Sequence, residues 1–345
     1  MEFWINFCPK KLYWELTFAK TKGENPSYDW IKEPKVIRDS LKQLKKWGIK
    51  GIRLIIYPTE LTKDGKVFNW KPVDIILKYC KEEKIEIDFC LGPFQYPHYP
   101  GIYLPQDLLR FINSENIYID DVDELKKYSL SFLEKQLKRY GKDKRINEFY
   151  LGNEWPDFNK VEERRNFKMG VSEEFMLNAT KLIKKLTKKQ IILNTNIDPL
   201  SKGKINKTFA ILLSILGKQG VVGLDIYPSQ ETWEKSPIIK LARKFISYAS
   251  SLTKLKNNIS SAGIVFSEVE AQPWGSGKSW FKMIKEDPFL VEKTVSELVT
   301  TINKKIISSK IKKVTLWSCE FWLVAKELNI SLKDFQLILN ESTGI

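Results

Sequence analysis

The chain has 345 residues, of which 43% are hydrophobic and 12% aromatic, which is enough to bury a large core and excludes a disordered chain. Its longest apolar runs, such as residues 52–57 around Arg53, fall far short of the roughly 20 residues that cross a bilayer, so no membrane span is predicted. The formal net charge of +15 is compatible with an anionic partner, but the charge is carried mainly by lysine, which does not favour forked recognition of bases or phosphates.

Short apolar segments rich in Ile, Val, Phe and Tyr predict eight strands that are buried on both faces. These strands lie at residues 3–8, 51–57, 85–91, 146–151, 191–196, 221–227, 263–268 and 314–319. Apolar residues three and four apart predict eight helices, at residues 35–47, 71–82, 122–140, 172–187, 205–217, 236–254, 287–308 and 331–339. Eight strand-then-helix units predict a closed (β/α)8 TIM barrel, formed by a single domain that covers residues 1–345.

The connections differ in length in a way that locates function. Long segments rich in aromatic residues follow the strands, for example 9–34 and 92–121, whereas helix-to-strand connections such as 47–51 are short. In barrels of this kind the loops after the strands build the active site. We therefore expect functional residues at the carboxyl ends of the strands. Glu15 and Trp14, within segment 9–34, are candidates for lining the cleft, with surface exposure as the default expectation.

Two glutamates follow apolar strands directly. Glu154 comes after the fourth strand in LGNEWP, and Glu268 ends the seventh strand in GIVFSEVEAQPW. These strands face each other across a barrel mouth, and a pair of carboxyl groups is what glycoside hydrolysis requires. Glu270 shares a strand face with Glu268 and is the alternative, although Glu268 ends the apolar run and is preferred.

The motifs at these strand ends resemble one large group of enzymes. Besides the two glutamate motifs, they are GIRLIIYP at 51–58, LGPFQYPHYP at 91–100, GLDIYP at 223–228 and VTLWSCEFW at 314–322. In strand order they are similar to clan GH-A, the retaining (β/α)8 glycoside hydrolases that include cellulases, mannanases and β-galactosidases. The resemblance covers essentially the whole chain and leaves the exact family open.

The resemblance implies a role for each matching residue. It makes Glu154 the general acid/base and Glu268 the nucleophile. It also implies that Asn153 donates to the sugar 2-hydroxyl. The remaining implied roles are Arg53 and Tyr227 as partners of the nucleophile and Trp317 as the platform under the sugar. Independently of the resemblance, Arg53 within the apolar segment GIRLII needs a carboxylate partner, and such a partner would itself stay ionised.

Further substrate contacts are predicted in the loops at the mouth. Trp155 and Trp274 can stack on the apolar faces of sugar rings, with loop packing as the equal alternative. Gln95 can contact a sugar hydroxyl. Cellulase-like members usually carry histidines beside the catalytic pair, whereas this chain has only His98, and Asp225 stands where such members tend to have histidine.

The remaining residue types bear on metals, redox state and location. With one histidine and four scattered cysteines, no metal or cofactor is predicted, and the cysteines are expected to be mostly buried thiols. The N-terminus MEFWINFCPKKLYW lacks the features of a signal peptide, which predicts a cytoplasmic protein, or a secreted one if a leader precedes this sequence. No oligomeric state is predicted.

The leading prediction is thus a retaining glycosidase that cleaves a β-linked oligo- or polysaccharide, with no nucleic-acid partner. A non-catalytic carbohydrate-binding barrel is the first alternative, although the helpers of both glutamates are present. A basic protein that binds polyanions is the least favoured, because the lysines lie mostly on the outer faces of predicted helices.

Overall fold

A computed structural model describes residues 2–21, 27–92, 104–111, 117–155, 169–196, 207–226, 263–270, 311–317 and 319–329. Eight of its strands form a closed, all-parallel barrel. In chain order they are β1 (Glu2–Phe7), β2 (Gly51–Leu54), β3 (Glu86–Leu91), β5 (Ile146–Leu151), β7 (Ile191–Asn196), β8 (Gly220–Ile226), β9 (Ile264–Glu270) and β10 (Lys313–Trp317). A separate parallel pair joins β4 (Ile117–Tyr118) to β6 (Met169–Gly170). The predicted (β/α)8 barrel is confirmed.

The barrel closes because β1 pairs with β2 on one side and with β10 on the other. Around the barrel the order is β1-β10-β9-β8-β7-β5-β3-β2, so each strand lies beside its nearest barrel strands in sequence. All eight predicted strands are present, with ends that differ by a few residues. The fourth and seventh barrel strands, which carry the predicted catalytic glutamates, are β5 and β9.

The described helices lie between and after the strands. They are α1 (Pro9–Lys20), α2 (Pro34–Lys46), α3 (Pro58–Leu61), α4 (Lys71–Glu83), α5 (Gln106–Leu109), α6 (Asp123–Tyr140), α7 (Glu173–Leu186), α8 (Lys207–Leu216) and α9 (Cys319–Glu327). Proline is the first residue of α1, α2 and α3 and the second of α4, and its fixed φ suits a helix start. The predicted helices at 236–254, 287–308 and 331–339 lie outside the described residues.

Two helices depart from the sequence prediction. Segment 9–34 was expected as a loop, but α1 begins directly after β1, with Leu12, Tyr13 and Leu16 buried on one face. The predicted last strand, 314–319, ends at Trp317, and α9 follows it. The two helices pack against each other. The connection after β1 is therefore partly structured rather than open.

The core has two layers. A large apolar cluster fills the space between strands and helices, and includes Ile52, Leu54 and Phe266. A smaller cluster fills the barrel interior; its members are Cys8, Ile55, Tyr57, Cys90, Tyr150, Ile192, Val221 and Val265. Inward side chains alternate along each strand with outward ones, as the pleat requires. Cys8, Cys80 and Cys90 are buried free thiols, as expected.

Polar side chains lie above and below this inner apolar layer. Trp4 covers Gly51 at the amino end of the barrel, where any Cβ would collide with the indole. Lys313 lies 4.0 Å from the Trp4 ring and contacts Asp88 and Glu148. In the described part of the chain, no helix is long and apolar enough to cross a membrane.

Candidate active site

A buried ion pair lies at the carboxyl end of the barrel. Arg53 Nη1 donates to Glu268 Oε1 at 2.7 Å and to the Ser267 carbonyl at 3.3 Å, and the side chains of the pair are 0% and 1% exposed. The guanidinium lies 3.9 Å from the Tyr150 ring centroid. Burial opposes the charge of Arg53, but surrounding acidic groups, Glu268 among them, outweigh it and raise the Arg53 pKa. This pairing favours the ionised form of Glu268.

A β-bulge in β9 places Glu268 inside the barrel. Leu224 pairs with Phe266, and the next residue of β8, Asp225, pairs with Glu268, so β9 carries one extra residue, Ser267. The register between β9 and β10 shifts at the same place. A bulge breaks the alternation of faces. As a result Ser267 and Glu268, although consecutive, both reach polar partners in the barrel interior.

Asn153 connects the ion pair to the end of β5. Its Oδ1 accepts from Arg53 Nη2 at 3.0 Å and from Asn194 Nδ2 at 2.7 Å. The oxygen already accepts two hydrogen bonds. The part of Asn153 that could contact a ligand is therefore its NH2 group, which is a donor. The side chain is buried but close to the turn that bears Glu154, where a bound molecule at the mouth would meet it.

Asn194 and Asp225 form a hub that the sequence did not predict. Asn194 Nδ2 donates to Asp225 Oδ2 at 2.6 Å, and Asn194 Oδ1 accepts from the Glu154 backbone N–H at 3.2 Å. Ser267 Oγ donates to Asp225 Oδ1 at 2.5 Å. Both residues lie near the carboxyl ends of apolar strands, and that position was the available signal. The hub ties the turn that bears Glu154 to the strand that bears Glu268.

The turn after β5 is an uncommon backbone conformation. Gly152 and Glu154 have φ values of 64° and 49°, and the left-handed region is unfavourable for a residue with a side chain. Trp155 packs against Gly152 so closely that any Cβ there would collide with its indole. The ring also lies 5.8 Å from Phe175. The buried indole, 1% exposed, thus supports the turn that presents Glu154.

This placement matters for the predicted substrate contacts of the tryptophans. Trp155 lies in the core, so of its two predicted roles the structure favours loop packing, and its stacking on a sugar stays a prediction. Trp317, at the end of β10, is 4% exposed, and Lys11 Nζ lies 5.6 Å from its ring centroid. Its role as a platform also stays a prediction.

Glu15 is buried, and its expected surface exposure was wrong. It lies on α1, is 3% exposed, and contacts Lys11 at 3.7 Å. Burial raises the pKa of Glu15 to about 8; Lys11 opposes this shift and Glu320 adds to it. Helix α1 therefore brings the buried carboxyl group of Glu15 close to Lys11, whose ammonium group faces the Trp317 ring.

Several predicted site residues lie outside the described residues. They are Gln95, Tyr227 and Trp274, together with His98 in the same loop as Gln95. Glu270 is described only by its backbone, which pairs with Trp317. The choice between Glu268 and Glu270 therefore stays a prediction that favours Glu268. Within the described ranges, no group of three or more His, Cys, Asp or Glu side chains is arranged to hold a metal ion.

Comparisons with known proteins concern the fold. No protein-family model matches the chain, and no curated protein matches it in sequence. Among solved structures, a GH5_18 glycoside hydrolase from Bifidobacterium longum is similar, with a TM-score of 0.62 and 14% identity over 100% of this chain and 79% of that chain. A GH5_18 glycoside hydrolase from Streptomyces cattleya has a TM-score of 0.60 and 11% identity over 92% and 70%.

A third similar structure comes from another family. It is a GH10 endoxylanase from a sugarcane soil metagenome, with a TM-score of 0.55 and 15% identity over 92% of this chain and 85% of that chain. Identities this low speak for a shared fold. The shared fold is the (β/α)8 barrel of these glycoside hydrolases, which agrees with the fold that the resemblance to clan GH-A implied, and the exact family stays open.

Proposed function

We propose that this chain is a retaining glycoside hydrolase, with Glu268 as nucleophile and Glu154 as acid/base. The observation that carries the proposal is the buried Arg53–Glu268 pair, linked through Asn153 and Asn194 to the turn that bears Glu154. Burying an ion pair costs desolvation energy that well-packed apolar residues would avoid. A catalytic role for Glu268 as a charged nucleophile would explain why the chain buries this ion pair despite the cost.

In the first step of the proposed reaction, Glu268 attacks the anomeric carbon of a β-linked sugar. Glu154 gives its proton to the glycosidic oxygen, so the leaving group departs as an alcohol and Glu268 becomes a glycosyl ester. Arg53 keeps Glu268 ionised until attack. In this proposal the NH2 group of Asn153 donates to the sugar 2-hydroxyl, a contact that strengthens in the transition state.

In the second step, water hydrolyses the ester between the sugar and Glu268. Once Glu268 is esterified its charge is gone, and Glu154, now a carboxylate, can take a proton from water. The water oxygen attacks the anomeric carbon and the carbon–oxygen bond to Glu268 breaks. Two inversions give a product of the original anomeric configuration, and both side chains return to their starting states.

The substrate class is proposed from the predicted aromatic residues of the mouth and from the neighbours. The GH5_18 structures from B. longum and S. cattleya were solved in complexes with Manβ1-4GlcNAc. A screen of aryl β-glycosides and β-linked oligosaccharides should include this disaccharide. Trp317, Tyr227, Gln95 and Trp274 are the proposed contacts of such a substrate, whereas Trp155 supports the turn that bears Glu154 from the core.

The test is chemical rescue of a variant that lacks the nucleophile. Glu268→Ala should lose at least about 10⁴-fold in kcat, because no ester can form. Azide should restore turnover by attacking in place of the missing carboxylate, and should give a glycosyl azide of inverted configuration. Product configuration by NMR is the measurement.

Glu270→Ala is the matched control, and it should keep most of the activity. Rescue by azide at Glu270→Ala instead of Glu268→Ala would move the nucleophile to Glu270. Wild-type protein that binds sugars without turning any of them over would favour the non-catalytic carbohydrate-binding barrel. Binding only to polyanions, with an affinity that falls steeply with salt, would favour the basic-surface alternative.

A further inference from the structure

Asp225 is a buried carboxyl group that the two-glutamate mechanism does not use. It is 0% exposed at the end of β8, and both of its oxygens accept hydrogen bonds, Oδ1 from Ser267 and Oδ2 from Asn194. Asn194 links it to the acid/base, because Asn194 donates to Asp225 Oδ2 and accepts from the Glu154 backbone N–H. The Glu154 side chain also acts on Asp225 as a hydrogen-bond partner that lowers its pKa. An unused carboxyl group in contact with the acid/base is expensive to bury, which suggests a purpose.

A hydrogen bond between two carboxyl groups requires that one of them carries a proton. Asp225 already accepts from Asn194 and Ser267, and the charge of Arg53 acts on it, so the proton belongs on Glu154. Burial raises the pKa of Asp225, whereas Arg53 and these hydrogen bonds, including the one from Glu154, oppose that rise. Glu268, opposite Asp225 in register, is neutralised by Arg53.

We propose that Asp225 is a positioning residue for the acid/base: its carboxylate accepts a hydrogen bond from the protonated Glu154 and holds the proton there until the leaving group takes it. This inference rests on the assignment of Glu154 in the proposed function. Asp225 would then be to the acid/base Glu154 what Arg53 is to the nucleophile Glu268: the group that fixes its protonation state. The charged groups near Asp225 in the described residues are Arg53, Glu154 and Glu268.

The same contact assists the second step. After Glu154 has given up its proton, two carboxylates face each other in a buried site, and their repulsion is relieved when Glu154 takes a proton from the attacking water. The proton returns to the group that lost it, so the cycle closes with Asp225 unchanged. Asp225 therefore influences both halves of the reaction without touching the sugar.

The first measurement does not depend on activity. The Glu154 carboxyl group is titrated by ¹³C NMR, with its signal identified by loss in Glu154→Gln. In Asp225→Asn, which keeps the shape but removes the charge, the apparent pKa of Glu154 should fall by about one unit or more. Asp88→Asn, which changes a buried carboxyl group at the other end of the barrel, should leave the titration of Glu154 unchanged.

An unchanged Glu154 titration in Asp225→Asn would overturn the inference. If that variant does not fold, the wild type decides: two coupled carboxyl groups give a two-step titration, and a single simple step for Glu154 would equally overturn it. Where turnover is found, the alkaline limb of kcat/KM should shift downwards by the same amount in Asp225→Asn. Absence of turnover in every wild-type assay would contradict the proposed function. The NMR titration would still test whether Asp225 and Glu154 interact.

Discussion

Among the described residues, the barrel buries charged side chains at both of its ends, and the two groups differ in what surrounds them. At the carboxyl end, Arg53 and Glu268 belong to a network of side-chain amides and a further carboxyl group. At the amino end, Lys313 contacts Asp88 and Glu148, 2.5 Å from the latter, and the Trp4 ring covers it. Both groups lie inside the same cylinder, separated by the apolar layer around Tyr150.

The difference shows that a buried charge alone does not mark a functional site. At the amino end, Lys313 lies between the two carboxyl groups of Asp88 and Glu148, and the Trp4 ring covers Lys313. At the carboxyl end, the network around Arg53 and Glu268 joins the strand ends to the turn that bears Glu154, where the substrate is proposed to bind. Whether a buried charge belongs to a functional site is therefore indicated less by its burial than by which end of the barrel it lies at and which polar groups surround it.

The largest expected effect comes from breaking the Arg53–Glu268 pair. Arg53→Met leaves Glu268 as an uncompensated buried charge, which should cost about 3–5 kcal/mol in the free energy of unfolding and abolish turnover. Urea unfolding and kcat/KM measure the two effects.

Arg53→Lys separates the charge from the geometry. It keeps a cation but loses the planar fork that holds Glu268 and Asn153 together, so it should fold better than Arg53→Met and still turn over poorly. Full activity in Arg53→Lys would mean that the Arg53–Glu268 pair serves stability only.

A smaller effect is expected from the same substitution in the charged group at the amino end. Lys313→Met leaves Asp88 and Glu148 without their cation, but burial raises the pKa of Asp88 to about 7, against the opposing charge of Lys313, so this carboxyl group can take a proton. Destabilisation should therefore be less than for Arg53→Met, and kcat of the folded enzyme should stay within about twofold of the wild type. A large loss of kcat would erase the distinction between the two ends.

The last effect concerns Glu15 and is expected only as a dependence of stability on pH. Its contact with Lys11, at 3.7 Å, is longer than that of the Arg53–Glu268 pair. Burial raises its pKa to about 8 in the folded protein, above the ordinary value of 4.5 for a glutamate, so the fold favours the protonated form. Stability from this group is fully present below about pH 4.5 and is lost as the pH rises towards 8, with a slope of at most about 1.4 kcal/mol per pH unit.

Glu15→Gln should remove that part of the pH dependence. Thermal unfolding from pH 5 to 8 compares it with the wild type, and parallel curves for the two proteins would show that Glu15 does not titrate in this range.

The fold could be predicted because eight buried strands produce eight apolar runs. The missed helices have physical reasons. In α9 the residues from Glu320 to Ala325 are all buried, so no polar face in this part distinguishes it from the strand before it. In α1 the apolar spacing is present, but it begins one residue after a buried strand and its aromatic content resembles that of a loop.

The sequence predicted those site residues that stand out as polar side chains within or directly after apolar strands. Arg53 within an apolar run implied a carboxylate partner, and the structure pairs it with Glu268. The hub of Asn194 and Asp225 depends on strand register and on the bulge at Ser267, which a linear pattern does not specify. Which polar strand ends meet is decided by tertiary packing.

The bulge at Ser267 also limits how this site could be transplanted. A designer who copied the inward residues onto an ideal barrel of regular strands would reproduce the list of side chains but turn Glu268 towards the surrounding helices, away from Arg53. One inserted position in a single strand, invisible to any comparison of residue types alone, separates a working arrangement from an inert copy.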